Sequence, residues 1–243
     1  GTAVVYNSGE CEKQNTVYDS NANKTVILYT DSANSYRGTA IIGTVSGTSI
    51  SFGTEVVFNA AATDWISATY DSSSSKVVIA YQDGGNSSYG TAIVGTVSGT
   101  AISFGTAVVF EAASAPYISC AFDSNENKVV ISYRDGGDAD KGTAIVGTVS
   151  GTAISFGTAV VYSTDISVNS TVFDSNSNKI VIAYRHNGSS NYGTGIVGTV
   201  SGTAISFGTP TVFETADTSP ISASFDSNSN SVAIAYSDAG NSY

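Results

Sequence analysis

The chain is built from five tandem copies of one unit of about 52 residues, and this repetition limits its fold more than any other feature. The segment Gly-Thr-Ala-Ile-Ile-Gly-Thr-Val-Ser-Gly that starts at Gly38 returns in close variants at Gly90, Gly142 and Gly193. An Asp-Ser pair returns five times, at Asp19, Asp71, Asp123, Asp174 and Asp226. A repeat of this length means that each copy is one supersecondary unit, which buries its apolar face against its neighbours.

Each copy carries four strand signals and no helical period. The second copy illustrates them with Ile66–Tyr70, Val77–Tyr81, Ala92–Val97 and Ile102–Phe110. The second signal is apolar at nearly every position, which is typical of a strand covered on both faces. A short turn that begins with Asp-Ser joins the first strand to the second, and a Ser-Gly turn joins the third strand to the fourth. The pattern predicts a four-stranded antiparallel meander in each copy.

Radial stacking of such meanders predicts an all-β fold, a five-bladed β-propeller formed by one domain over residues 1–243. A linear β-solenoid is the alternative, but its rungs are usually much shorter than 52 residues. The predicted blades span residues 14–58, 66–110, 118–162, 169–213, and 221–243 together with 1–6. Gly1–Tyr6 matches residues 105–110 and Tyr243 matches Tyr89, so the N-terminal strand is expected to close the last blade. The last blade then lacks a third strand, and we expect the chain to have been excised from a longer one.

The charge of the chain argues against two classes of partner. Nine Lys and Arg against twenty Asp and Glu give a net charge of −11, which repels phosphate backbones and anionic headgroups. No apolar run approaches the roughly 20 residues that span a bilayer. We therefore expect no nucleic-acid partner and no membrane insertion. The cysteines, Cys11 and Cys120, occupy different positions in the repeat and are expected to be free thiols, exposed and buried respectively.

The longer loops of the predicted meander lie on one face, and this face is where recognition is expected. They join the second strand to the third, and the fourth strand to the first strand of the next copy. The second-to-third loop carries a carboxylate, amides and hydroxyls beside a tyrosine, which is the set of groups that a glycan site uses. The candidate ligand-binding residues are Asp31, Tyr36, Asp83, Asn86, Tyr89, Asp135, Asp138, His186, Tyr192, Asp238 and Tyr243. The alternative is structural: Asp and Asn cap the turn, and Tyr packs between blades.

Three patterns that could carry other chemistry are interpreted as structural. Asp123-Ser-Asn-Glu-Asn imitates the start of a calcium loop but lacks the Gly and Glu that such a loop needs, so it predicts a hairpin turn. His186 is the only histidine, which excludes a His-based triad or zinc site, and we predict no cofactor and no metal. Trp65, the only tryptophan, is expected to pack against a neighbouring blade or to act as a surface anchor.

A glycoside-acting enzyme is the best catalytic alternative, because some glycosidases are five-bladed propellers with paired carboxylates at the axis. The innermost strands here carry Asn15, Ser67, Ser119, Ser170 and Ser222 at equivalent places. No acidic residue is expected to line the channel, and the sequence predicts that the chain is not an enzyme.

The tandem pattern resembles that of uncharacterised repeat proteins of marine phages and bacteria. It reads Tyr-x-Asp-Gly-Gly-Asn-Ser-x-Tyr-Gly-Thr-Ala-Ile-Val-Gly-Thr-Val-Ser-Gly-Thr-x-Ile-Ser-Phe-Gly-Thr. Some of those proteins look like phage tail-fibre or surface-adhesin proteins, and the family brings no established activity. The shape also resembles five-bladed propeller lectins such as the tachylectins, without their Trp-containing motif.

Together these observations predict a non-catalytic binding module, extracellular, on a cell surface or on a virion. It would recognise glycan, or a protein surface, through several weak and nearly equivalent sites that gain by avidity. A structural spacer or filament subunit that self-associates is the alternative.

Overall fold

A computed structural model describes residues 1–241, and in this range the chain is all-β. The strands form three sheets, and none of the three closes on itself. The chain divides into two compact units. One contains residues 1–112 and 149–154, and the other contains residues 113–148 and those from 155 onward. No helix in the described range is long and apolar enough to cross a membrane.

The first sheet holds the strands of the first two copies. These are β1 (Cys11–Asp19), β2 (Lys24–Asp31), β3 (Arg37–Ser46), β4 (Ser49–Phe52), β5 (Val56–Asp71), β6 (Lys76–Asp83), β7 (Tyr89–Ser98), β8 (Ala101–Phe104) and β9 (Val108–Ser114). The pairing is antiparallel, in the order that a meander requires.

The second and third sheets hold the remaining copies. The second contains β10 (Ser119–Asp123), β11 (Lys128–Asp135), β12 (Lys141–Ser150), β13 (Ala153–Phe156) and β14 (Val160–Ser163). The third contains β15 (Ile166–Asp174), β16 (Lys179–His186), β17 (Tyr192–Ser201), β18 (Ala204–Phe207), β19 (Thr211–Asp226) and β20 (Ser231–Asp238). Short 3₁₀ turns follow the second strand of four copies, at Ser32–Asn34, Gly84–Asn86, Asn187–Ser189 and Ala239–Asn241.

The core lies between consecutive copies, as the apolar second strand predicts. Val77, Val78, Ile79 and Ala80 of β6 are completely buried, so both faces of that strand are covered. In the first unit one face packs with Leu28 and its neighbours of the preceding copy in a single cluster. The cluster in the second unit is equivalent and joins the third copy to the fourth.

One connection differs from the prediction. The variable segment from the fourth strand to the next first strand was expected to be a loop, yet β5 and β19 run through it as continuous strands. The predicted fourth strand is instead interrupted earlier, between β8 and β9. In four copies a β-bulge shifts the register near the start of the first strand, and a bulge of this kind bends the strand.

Three of these bulges place a residue in the left-handed region of φ, although no glycine marks it: Lys13, Trp65 and Val168, with φ between 50° and 55°. Tyr117, just before β10, has a similar φ of 56°. This conformation is costly for aromatic and β-branched side chains, and the surrounding sheet must hold it.

Residues 1–10 belong to no strand, so the predicted N-terminal strand is absent from the structure. The segment nevertheless packs on the first copy. The Tyr6 ring lies 5.3 Å from the ring of Tyr29 and 5.8 Å from that of Phe52. Phe58 contacts Tyr81 and Phe104 of the second copy in the same manner. The N-terminal segment thus occupies the place that the end of a preceding fourth strand takes elsewhere.

Deleting residues 1–6 should therefore destabilise the first unit. The deletion removes the half-buried Tyr6 ring that packs on Tyr29 and Phe52. Full burial of an aromatic side chain is worth about 1.5–3 kcal/mol, which is the upper end of the expected cost. We expect the melting temperature to fall by roughly 3–10 °C, with more aggregation through the uncovered surface. Tyr6→Phe keeps the ring and is the control, since three other copies carry Phe there. An unchanged melting temperature after deletion would show that the segment only rests on the surface.

Candidate functional site

The aspartates predicted as ligands are engaged in their own turns. Asp31 Oδ1 accepts hydrogen bonds from the backbone N–H of Ala33 and Asn34 at 3.1 and 3.2 Å. Asp83, Asp135 and Asp238 cap the equivalent turns by accepting from the N–H two residues later. Turn capping is the structural alternative to glycan binding that the sequence also predicts for these aspartates.

The other candidates are dispersed. Tyr36 is an exposed residue with φ of 60° inside a turn, whereas Tyr89 and Tyr192 begin β7 and β17. These tyrosines are therefore not equivalent, contrary to the prediction, because the loop after Asp31 reaches its tyrosine one residue sooner. Asn86 ends an exposed 3₁₀ turn, and Asp138 forms an exposed ion pair with Lys141 at 2.9 Å. Tyr243 lies outside the described residues.

One candidate, His186, borders a cavity of about 330 Å³ in the second unit. The cavity lies between the end of the third copy and the strands of the fourth. Its walls combine aromatic rings, hydroxyl groups and small apolar side chains: Tyr162, Ser163, Thr164, Tyr184, His186, Ser189, Thr194, Pro210 and Val212.

The imidazole of His186 is held on two sides. Its Nδ1 lies 2.7 Å from Ser189 Oγ, and its Nε2 lies 3.3 Å from Thr164 Oγ1. The ring stands edge-on to Tyr184, with centroids 6.3 Å apart. Tyr184 in turn packs against Tyr162 at 5.3 Å. The His186 imidazole and the Ser189 and Thr164 hydroxyls are thereby held beside the stacked rings of Tyr184 and Tyr162.

Burial sets the ionisation of these phenols. Desolvation raises the pKa of Tyr162 and of Tyr184, in Tyr184 against the opposing hydrogen bond from Ser163. Both groups therefore remain neutral at physiological pH. The cavity thus offers neutral polar groups beside ring faces.

One residue that borders the cavity is smaller than its equivalents in the other copies. The residue after the aromatic at the end of the fourth strand is Asn7, Asn59, Glu111 or Glu214 in the other copies, and Ser163 here. Asn59 Nδ2 donates to Asp83 Oδ1 at 3.0 Å. Asp83 occupies the same position in its copy as His186 does in the fourth copy. Ser163 is shorter and hydrogen-bonds Tyr184 instead.

The loop beside the cavity is anchored by an ion-pair network. Arg185 Nε and Nη2 donate to the two carboxylate oxygens of Asp217 at 2.7 and 2.9 Å, and Nη1 donates to Ser167 at 2.9 Å. Arg185 lowers the pKa of Asp217, mainly through this hydrogen bond. Asn187 donates to Asp165 and accepts from Ser167. The turn that carries Ser189 is therefore held in place from both ends.

The remaining patterns have structural roles. Asp123 Oδ1 accepts from the N–H of Asn125 and Glu126, which confirms a hairpin turn in place of a calcium loop. In the described residues no group of His, Cys, Asp or Glu could hold a metal ion. The first-strand serines link neighbouring copies, since Ser119 and Ser170 accept hydrogen bonds from the backbone of Thr171 and Ala223. Neither cysteine forms a disulfide, as predicted; Cys120 is buried as predicted and Cys11 is half-buried instead of exposed.

Trp65 and Tyr117, both with φ in the left-handed region, carry a cation above the ring. Lys13 Nζ lies 5.8 Å from the Trp65 centroid, and the Arg134 guanidinium lies 5.9 Å from that of Tyr117. Trp65 thus contacts the neighbouring first copy, in agreement with the packing role considered for it.

No family model and no curated protein matches this chain. Solved structures do match its fold. The crystal structure of AofleA from Arthrobotrys oligospora aligns with a TM-score of 0.60 and 9% identity, covering 94% of this chain and 66% of that chain. A mutant of AofleA with three arginines replaced by alanine aligns with a TM-score of 0.58 and 12% identity, over 94% of this chain and 65% of that chain.

These values show a shared fold alone. This chain spans just under two thirds of the length of either neighbour.

Sequence reasoning found His186 but missed the other residues of the cavity. Tyr162, Tyr184 and Thr194 belong to repeated positions that are equally aromatic or hydroxylic in other copies, and nothing in the sequence separates them. The sequence signal that could have found the cavity is that two residues at the junction of the third and fourth copies differ from their equivalents in the other copies. His186 replaces the Asp of the other copies, and Ser163 is shorter than the Asn or Glu that they carry.

Proposed function

We propose that this chain is a non-catalytic carbohydrate-binding protein and that the cavity beside His186 is its principal site. The observation that carries the proposal is the cavity itself, in which neutral hydroxyl groups and an imidazole surround the faces of tyrosine rings. Sugars are bound by this combination, because their C–H faces pack on aromatic rings while their hydroxyls exchange hydrogen bonds. Its volume is that of a small ligand site.

Supporting facts come from position and from fold. The cavity lies on the long-loop face, where the sequence places recognition. The fold likeness to AofleA is compatible with a binding function but does not carry it. We also propose that the five copies stack as the blades of a propeller, with Gly1–Tyr6 in the last blade. The identity of Gly1–Tyr6 with residues 157–162 supports this arrangement. Display outside a cell or on a virion remains part of the proposal.

Substitution of Ser163 by Asn should abolish most of the binding. Asn is the natural residue at the equivalent position of the first two junctions and should reach position 186 as Asn59 reaches Asp83. We expect at least a tenfold loss of affinity, or about 1.4 kcal/mol, for a sugar first identified on a glycan array and then titrated by calorimetry.

The control places the same residue at another junction. Glu111→Asn changes the equivalent position in a different copy and should leave affinity unchanged. Equal affinity of Ser163→Asn and the unsubstituted chain would move the site away from this cavity. An array without any bound glycan, with or without divalent cations, would contradict carbohydrate binding itself. The structural-filament alternative is separated by light scattering, since a monodisperse monomer excludes it.

A further inference from the structure

We infer that the cavity beside His186 selects uncharged sugars over acidic ones, and that a proton on His186 weakens this preference. The inference rests on the proposed function, because it names the ligand class of the same site. Among the described residues, those that line the cavity include no carboxylate, lysine or arginine. Burial raises the pKa of the Tyr162 and Tyr184 phenols, so neither ionises at physiological pH. His186 is therefore the one lining residue that changes its charge between pH 5 and 8.

The charged groups around the cavity offer nothing to an acidic ligand. On the long-loop face of this junction the cations are held in ion pairs: Arg134 with Asp140 at 2.5 Å, Lys141 with Asp138 at 2.9 Å and Arg185 with Asp217 at 2.7 Å. The same loops and strand ends carry three further carboxylates, those of Asp135, Asp165 and Glu214. An acidic sugar would therefore strip water from its carboxylate on entering the cavity without gaining a cation in exchange, and it would do so in a negative field.

Protonation of His186 changes the groups that face a ligand. The imidazole lies within hydrogen-bond distance of Ser189 Oγ on one side and of Thr164 Oγ1 on the other. A neutral imidazole has one donor and one acceptor nitrogen, so one of these hydroxyls must give its hydrogen to the ring.

On the imidazolium both nitrogens donate and both hydroxyls accept, which leaves the hydrogen of each hydroxyl available to the cavity that both residues line. A positive charge and an additional donor thus arise together beside the ligand. Both favour a carboxylate, because hydrogen bonds between ionised partners are the strong ones.

The test compares sugars that differ in one functional group. Methyl glycosides of glucose, galactose and mannose are paired with the methyl glycosides of the corresponding uronic acids, whose carboxylate stays ionised above pH 5. Binding to the full chain is followed through the imidazole proton signals in NMR spectra, which report on this cavity because His186 is the only histidine. At pH 8 we expect the tightest hexoside to bind at least tenfold more tightly than its uronide. At pH 5.5 this ratio should fall at least fivefold.

His186→Gln tests whether the imidazole is the cause. Glutamine keeps hydrogen-bonding groups at this position but takes up no proton in this range. The ratio of hexoside to uronide affinity, measured by calorimetry, should then be the same at pH 8 and at pH 5.5, whatever the affinity itself becomes.

A second measurement needs no variant, because proton and ligand binding are linked reciprocally. A ligand that prefers the imidazolium makes the ring hold its proton to a higher pH. The uronide should thus move the midpoint of the imidazole signals upward by roughly 0.5 pH unit or more relative to the hexoside.

Three results would overturn the inference while carbohydrate binding stands: uronides that bind as tightly as hexosides at pH 8, a ratio that does not fall at pH 5.5, or an equal fall in His186→Gln. A midpoint that is the same with both sugars overturns it as well. If neither these sugars nor any glycan bound on the array shifts the imidazole signals, the cavity is not a sugar site, and the proposed site fails together with the inference.

Discussion

Replacing Gly157 by alanine is expected to destabilise the second unit by about 3 kcal/mol or more, at the upper end of overpacking effects. A Cβ at this position would lie 2.0 Å from the backbone oxygen of Thr203, in the tight turn of the next copy. A backbone oxygen inside a hairpin cannot move aside as a side chain can, so the two copies would have to separate. For a chain of this size the melting temperature should fall by roughly 6–12 °C.

The repeat supplies its own control for this substitution. Gly208 is the equivalent glycine one copy later, and a Cβ there would meet only Val197 O at 3.8 Å, an ordinary contact. Gly208→Ala should leave the melting temperature within about 2 °C. Thermal unfolding followed by circular dichroism measures both variants. If the two variants behave alike, contact between copies is not the reason for this glycine.

The recurrence of this glycine illustrates what the sequence could and could not predict. The repeat, the four strands of a copy and the buried second strand all follow from period, turn chemistry and apolar runs, which are local signals. The Phe-Gly-Thr segment recurs four times in the sequence, but the reason for its glycine is a contact with the following copy. The same close approach recurs at Gly53, where a Cβ would lie 1.9 Å from Thr100 O.

The bulges and the cavity could not be predicted for related reasons. Trp65, Tyr117 and Val168 adopt left-handed φ without a glycine, so the usual sequence signal was missing. Ser163 borders the cavity at the position where Asn59 of another junction reaches Asp83, and this difference in side-chain length forms no motif in the sequence. The polar groups of the loop made Asp31 and Asp83 candidates for ligand binding. Their carboxylates instead accept hydrogen bonds from the backbone of their own turns.

A second large effect is expected from Ile182→Ala. Ile182 is completely buried in the cluster that joins the third copy to the fourth. Removing a buried isoleucine side chain costs the transfer free energy of the lost carbons plus that of the cavity left behind, about 2–5 kcal/mol. Urea denaturation should show a lower midpoint with the slope unchanged, because the native surface is unaltered.

Ile234 occupies the equivalent position in the last copy but is only half-buried. Ile234→Ala should therefore cost less than half of what Ile182→Ala costs. Equal losses would mean that the last copy is already as fully packed as the fourth.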